Sequence, residues 1–106
     1  MAWTVSYLDA AITELADQPA DIRAHLDRIV ALITEHGLEH LPRKLVKHLD
    51  GELWEFRLNG RDGIARALYV TKRGQRIVVV RVFTKKTQKT QPREIRLARQ
   101  RAEEVQ

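Results

Sequence analysis

The chain contains no cysteine. That excludes a disulfide scaffold and thiol chemistry, and it fits a reducing compartment. Nor is there an apolar run near the roughly 20 residues needed to cross a bilayer. No basic stretch precedes the apolar residues of the opening ten, so no signal peptide is read there. A soluble cytoplasmic protein is expected. Walker, nucleophile-elbow and dinucleotide fingerprints are all missing, as are repeats, linkers and low-complexity tracts. His36 and His40 are spaced i, i+4, but Gly37 lies between them and no glutamate follows His36 directly. This is not the zinc-protease pattern, and no metal or cofactor is expected. A chain of 106 residues fits one domain, spanning 1–106, with room for one modest core in a two-layer fold.

What is present is positive charge, unevenly spread. Residues 1–40 hold Arg23 and Arg28 against seven acids, a balance of −5; residues 41–106 hold 17 basic residues against seven acids, a balance of +10. Such a concentrated field suits a polyanion, although a solvated basic surface has the same composition.

Hydrophobic periodicity orders the elements. Trp3, Val5 and Tyr7 alternate as a short strand. Leu8, Ile12, Leu15 and Ala16 recur at helical spacing up to Pro19, and Ile22, Leu26, Ile29, Val30 and Ile33 form a second stripe ending at Gly37, a suitable C-terminal cap. Residues 8–36 are thus two helices, or one helix broken near Pro19. Residues 38–52 read as a connector with a short helical turn around Leu45 and Leu49. Strands follow at Leu53–Leu58, Ile64–Thr71 and Arg76–Thr84, separated by turn chemistry at Asn59-Gly60, Asp62-Gly63 and Arg73-Gly74. They predict an antiparallel meander. A polar loop, Lys85–Gln91, leads into a last helix at Pro92. The fold class is α+β: an antiparallel sheet with two N-terminal helices packed on one face, and a C-terminal helix.

Strand parity locates candidate chemistry. Side chains alternate faces, so Trp54, Phe56 and Leu58 share one face while Glu55 and Arg57 share the other. The bulky set is expected against the helices, which aims Arg57 at the open face. Arg66 is the one charge between Ile64 and Val70, and Arg81 is embedded in valines with Lys85 on the same parity. In register, Arg57, Arg66, Arg81 and Lys85 line one face. Arginine forks and a lysine point charge suit phosphate. The bland alternative is that Arg81 pairs with Glu55 or another acid, or snorkels. The loop carrying Lys85, Lys86 and Lys89 is the densest basic motif, followed by Arg93, Arg96, Arg99 and Arg101 on the last helix. Either is an RNA-backbone contact or an ordinary solvated surface. His48 stands by the basic connector and is a candidate for proton transfer at that site.

Two stretches, LWEFRLNGRDGIARALYV (53–70) and IVVVRVFTKKTQKTQPREIRLARQRAEE (77–104), resemble the phage-derived, HigB-like branch of the RelE/ParE toxin superfamily. The shared pattern is Leu53-Trp54-Glu55 followed by Arg57, then Arg66 followed by Tyr69, then Phe83 ahead of Lys85-Lys86-Thr87 and Lys89-Thr90, with Glu94-Ile95 and Ala98 through Arg101 on the last helix. The likeness covers essentially the whole chain. It is highly specific in the second half and a matter of element order in the first. It implies a RelE-like fold whose concave sheet face receives RNA. It also implies a type II toxin that acts, without metal, as an endoribonuclease on messenger RNA in the ribosome. There the RNA's own 2′-OH attacks the adjacent phosphate, leaving a cyclic phosphate and a 5′-OH. Such chemistry needs cations for the growing charge, a base and an acid.

The resemblance carries Arg57, Arg66 and Lys86 over as catalytic charge stabilisers, with Lys85, Lys89, Arg81 and Arg93 as RNA-binding residues. A lysine crowded by arginines is a possible base. RelE uses a tyrosine on its last helix, whereas no tyrosine follows Tyr69 here, so the acid and base are not assigned. Tyr69 has alternate parity to Arg66 and reads as sheet packing. The implied partners are a HigA-like helix-turn-helix antitoxin, the ribosome and messenger RNA. The same fold also serves ParE-like gyrase inhibitors and non-catalytic RNA binders.

Overall fold

A computed structural model describes residues 2–106. Its elements are β1 (Thr4–Tyr7), α1 (Asp9–Ala16), α2 (Ala20–His36), β2 (Val46–Asp50), β3 (Leu53–Gly60), β4 (Gly63–Lys72), β5 (Arg76–Lys85) and α3 (Pro92–Ala102). Two 3-10 turns, Leu38–His40 and Arg43–Leu45, link α2 to β2. The five strands form one sheet in the order β1-β5-β4-β3-β2. From β2 to β5 it is the antiparallel meander; β1 adds to β5 in parallel, Thr4 opposite Arg76 and Tyr7 opposite Val79.

The α2 stripe buries Ile22, Leu26, Ile29 and Ile33 on one sheet face, against Phe56, Leu58, Ala67 and Tyr69. Phe56 and Tyr69 stack with ring centroids 4.0 Å apart, which gives Tyr69 the packing role its parity suggests. Trp54 shares this face but stays 37% exposed at its margin. Helix α1 continues where β1 stops, along the edge of β5. Leu8 donates to the Val79 carbonyl, and the Glu14 carboxylate takes the Val82 N–H at 3.0 Å. A side-chain oxygen thus replaces the missing strand partner. The other face is not wholly open. Helix α3 lies on it, and Ala98 and Ala102 close a second core over Leu53, Leu68, Val70, Val80 and Phe83.

Three local features depart from the expected reading. The connector 38–52 contains an edge strand: its helical turn stops at Leu45, and Val46–Asp50 pairs with β3. Five mostly polar residues carry little periodic signal, so pairing comes from the free side of β3. The β3–β4 hairpin turns at Arg61 and Asp62, with Gly60 opposite Gly63. Gly60 is needed for close approach, since a Cβ there would stand 2.9 Å from both the Asp21 carboxylate and Ile22 Cδ1. Finally, β5 carries a bulge at Val80, because Tyr69 pairs with Val79 and Leu68 with Arg81. Val78 and Val80 face α3, and after the extra residue so does Phe83, with Val82 turned to α2. Unbroken alternation would have put Arg81 and Lys85 on the face of Ile77 and Val79, inside the α2 core.

Candidate nucleic-acid interface

Beyond the end of α3, the second face changes from apolar to ionic. Arg57 and Arg66 are directly opposite each other on β3 and β4, and Lys85 ends β5 opposite Ile64. Glu55 stands in their midst, fully buried. One of its oxygens, Oε2, lies 3.4 Å from Arg66 Nε, 3.8 Å from Arg57 Nε and 4.0 Å from Lys85 Nζ. The other, Oε1, accepts the Thr90 hydroxyl at 2.6 Å. None of the three cationic nitrogens makes a hydrogen bond among the described residues. Three cations share one carboxylate, so the cluster keeps an excess of positive charge and spare donors, which is the electrostatic signature of an anion site.

The local field follows from this crowding. Burial lowers the Arg66 pKa from its ordinary value, Glu55 opposes the shift, and Arg57 adds to it. Burial likewise lowers that of Lys85. Glu55 opposes, and Arg66, Arg57 and Lys47 reinforce. Neutral amine is therefore favoured at Lys85 more than at a surface lysine, the property a proton acceptor needs. The side chain of Arg57 is 37% exposed against 8% for Arg66 and 2% for Lys85, so Arg57 is the most accessible of the three. Beside the cluster a cleft of about 180 Å³ is lined by Lys85, Lys86, Thr87, Lys89, Gln91 and Arg93. Lys86, Lys89 and Arg93 are exposed there.

The structure thus brings together Arg57, Arg66 and Lys85, with Lys86, Lys89 and Arg93 at the neighbouring cleft. Arg81 is on the same face but is otherwise engaged. Its guanidinium holds Glu94 at 2.8 Å and Glu14 at 2.5 Å, and Arg101 joins through Glu14 at 2.9 Å. Burial works against the charge of Arg81, yet the bonds to Glu94 and Glu14 raise its pKa. The pairing alternative describes Arg81. On α3, the exposed Arg99 pairs with Asp50 and Arg101 also donates to the Val80 carbonyl, which leaves Arg93 and Arg96 as the arginines of this helix without an ion pair among the described residues.

His48 does not approach the cluster. It lies opposite Trp54, edge-on to that ring at 5.0 Å, and its Nε2 stands 2.8 Å from the Gly51 carbonyl oxygen. Strand alternation turns it to the α2 face, whereas its neighbour Lys47 lies opposite Glu55. Lys47, the buried Glu55 and Thr90 are the site residues that sequence reasoning did not single out. Recognising β2 was the signal for Lys47. The parity of Glu55 with Arg57 was visible, but its burial was not. Among the described residues, no three His, Cys, Asp or Glu side chains come together in a metal-ligating arrangement.

Comparison with known proteins agrees with this architecture. A family model described as "Phage derived protein Gp49-like (DUF891)" matches residues 13–103. No curated protein matches the sequence. Among solved structures, a mutant of the E. coli toxin RelE in the free state superposes with a TM-score of 0.60 at 12% identity, covering 100% of both chains. The archaeal RelE in its complex with RelB from Pyrococcus horikoshii gives 0.59 at 17% identity, covering 79% of this chain and 96% of that one. The toxin–antitoxin complex RelBE2 from Mycobacterium tuberculosis gives 0.53 at 22% identity, covering 80% and 100%. The chain has the RelE fold, and it belongs to the phage-derived Gp49-like family.

Proposed function

We propose that this protein is the toxin of a type II toxin–antitoxin system, a metal-independent endoribonuclease that cuts messenger RNA on the ribosome in the cytoplasm. The observation that carries the reading is the convergence of Arg57, Arg66 and Lys85 on a single buried carboxylate, beside a cleft lined by Lys86, Lys89 and Arg93. Cleavage by the 2′-OH raises negative charge on the phosphate oxygens as the bond forms. Fixed cations in a site of low dielectric stabilise that charge more than the ground state. Arg57, Arg66 and Lys86 are the charge stabilisers. Lys85, whose pKa burial lowers from its ordinary value, is a candidate for the proton-transfer step. Lys89 and Arg93 track the backbone, while Arg81 is left to the fold. The partner is a HigA-like antitoxin with a helix-turn-helix domain. Two of the structural neighbours are themselves complexes with antitoxins.

A tyrosine is missing from α3, and the cluster is largely sealed, which favours one second reading: a family member that binds RNA without cutting it. Induced expression separates the two. New 5′-OH ends inside translated regions, lost in Lys86→Ala and Arg66→Ala variants of confirmed fold, support the nuclease. Intact messages with soluble protein support the binder, and growth arrest with intact messages points to gyrase inhibition.

A further inference from the structure

Glu55 is the most deeply buried acidic or basic side chain among the described residues, and the proposed reaction leaves it without a part. Its side chain is 0% exposed, and its oxygens are occupied by three neighbouring cations and the Thr90 hydroxyl, so it is unsuited to direct proton transfer. Yet its two oxygens divide the site between them. Oε2 faces Arg66, Arg57 and Lys85 within 4.0 Å, and Oε1 takes the hydroxyl of Thr90 at 2.6 Å. Thr90 belongs to the basic loop between β5 and α3, whose other side-chain bond, from Thr87 to the Lys89 carbonyl at 2.7 Å, is internal to the loop. The bond from Thr90 to Glu55 is the side-chain hydrogen bond that ties this loop to the sheet.

Without a counter-charge, three cations this close repel one another and spread. With a second carboxylate the excess would fall from two positive charges to one. One buried carboxylate holds the cations together and leaves the excess directed at an incoming anion.

We propose that Glu55 is a positioning residue: one carboxylate oxygen gathers Arg57, Arg66 and Lys85 into a single array, and the other anchors the basic loop through Thr90. The array then meets a phosphate already assembled, and Lys86 and Lys89 are held in a fixed relation to it. The catalytic benefit of this role rests on the endonuclease reading, in which charge develops during the reaction, whereas the gathering of the cations by Glu55 stands on the geometry alone.

Glu55→Gln keeps the shape and the acceptor for Thr90 but removes the charge. Thr90→Val removes only the hydroxyl, and Thr90→Ser restores it. Each purified variant, its fold checked by circular dichroism, is assayed three ways: affinity for a fluorescent RNA, cleavage of a message on programmed ribosomes, and rate of acetylation of Lys85 read by mass spectrometry. In Glu55→Gln, RNA affinity is expected to hold within about threefold or tighten, since the protein gains a positive charge. Turnover is expected to fall by roughly 30-fold or more as the array loosens. Lys85 acetylation should rise, because its ammonium loses the carboxylate that supports it. Thr90→Val should lose roughly tenfold in turnover, and Thr90→Ser should recover it.

Equal losses of affinity and turnover in Glu55→Gln, or wild-type turnover, would overturn the role. If the wild-type protein cuts nothing, the endonuclease reading fails separately, and Lys85 acetylation then decides: unchanged rates in Glu55→Gln and Thr90→Val sink the positioning role, and faster rates sustain it. If Glu55→Gln does not fold, the Thr90 pair decides alone.

Discussion

Replacing Arg81 by methionine separates a structural cation from an RNA-binding one. Arg81 donates to Glu94 at 2.8 and 3.3 Å and to Glu14 at 2.5 Å, with its side chain only 20% exposed. Methionine keeps much of the stem volume and removes every donor. Glu14 retains Arg101 and the Val82 N–H, but Glu94, 10% exposed, loses the guanidinium that holds it. Stranding a largely buried carboxylate costs about 3–5 kcal/mol where burial is complete. Partial exposure and the partners left to Glu14 reduce this to about 2–3 kcal/mol. At about 4–8 °C per kcal/mol for a domain near this length, the melting temperature should fall by roughly 8–24 °C. RNA affinity, measured well below the melt, should change little. Thermal melts and a salt titration of RNA binding read both quantities. A stable Arg81→Met protein whose RNA affinity and salt slope both drop would refute the reasoning and return Arg81 to the phosphate contacts.

Three further outcomes follow from the same geometry. Lys89→Ala and Arg93→Ala should leave the melting temperature within about 2 °C, because both residues are exposed, and should reduce the slope of log affinity against log salt by about one each. His25 Nδ1 accepts the Asn59 N–H at 3.0 Å, which requires the neutral ring, and burial followed by the charge of Arg28 lowers its pKa below 6.5. A depressed folded pKa gives stability that is complete above the unfolded value and is lost as pH falls through the folded one. Melting temperature should therefore drop more steeply below about pH 6.5 in the wild type than in His25→Ala; parallel profiles would contradict this. Gly60→Ala should lower stability by about 1–3 kcal/mol in a denaturant titration, since the new methyl presses on Asp21 and Ile22.

Much of the fold was legible because it rests on periodicity. The α2 stripe at Ile22, Leu26, Ile29 and Ile33 and the three meander strands stand where alternation puts them. The edge strand β2 was not legible, because Lys47, His48 and Asp50 give it no apolar pattern and its partner is distant in sequence. The place of His48 was open for the same reason, since without β2 its face is undefined. Parity correctly grouped Arg57, Arg66, Arg81 and Lys85, but for β5 the grouping depends on the bulge at Val80, which four consecutive apolar residues conceal. The fate of Arg81 turned on Glu14, 67 positions away, a pairing that appears only when α1 runs along the β5 edge. The burial of Glu55 is likewise tertiary: a loop threonine 35 positions on closes over it.

The most direct test of the central claim is to mix purified protein with ribosomes carrying a defined message and to identify the termini produced. The account predicts cuts within the translated region, bearing a cyclic phosphate on one side and a 5′-OH on the other, and abolished in Arg66→Ala of confirmed fold. An uncut message, under conditions where the same protein inhibits DNA gyrase or merely binds RNA, would contradict it.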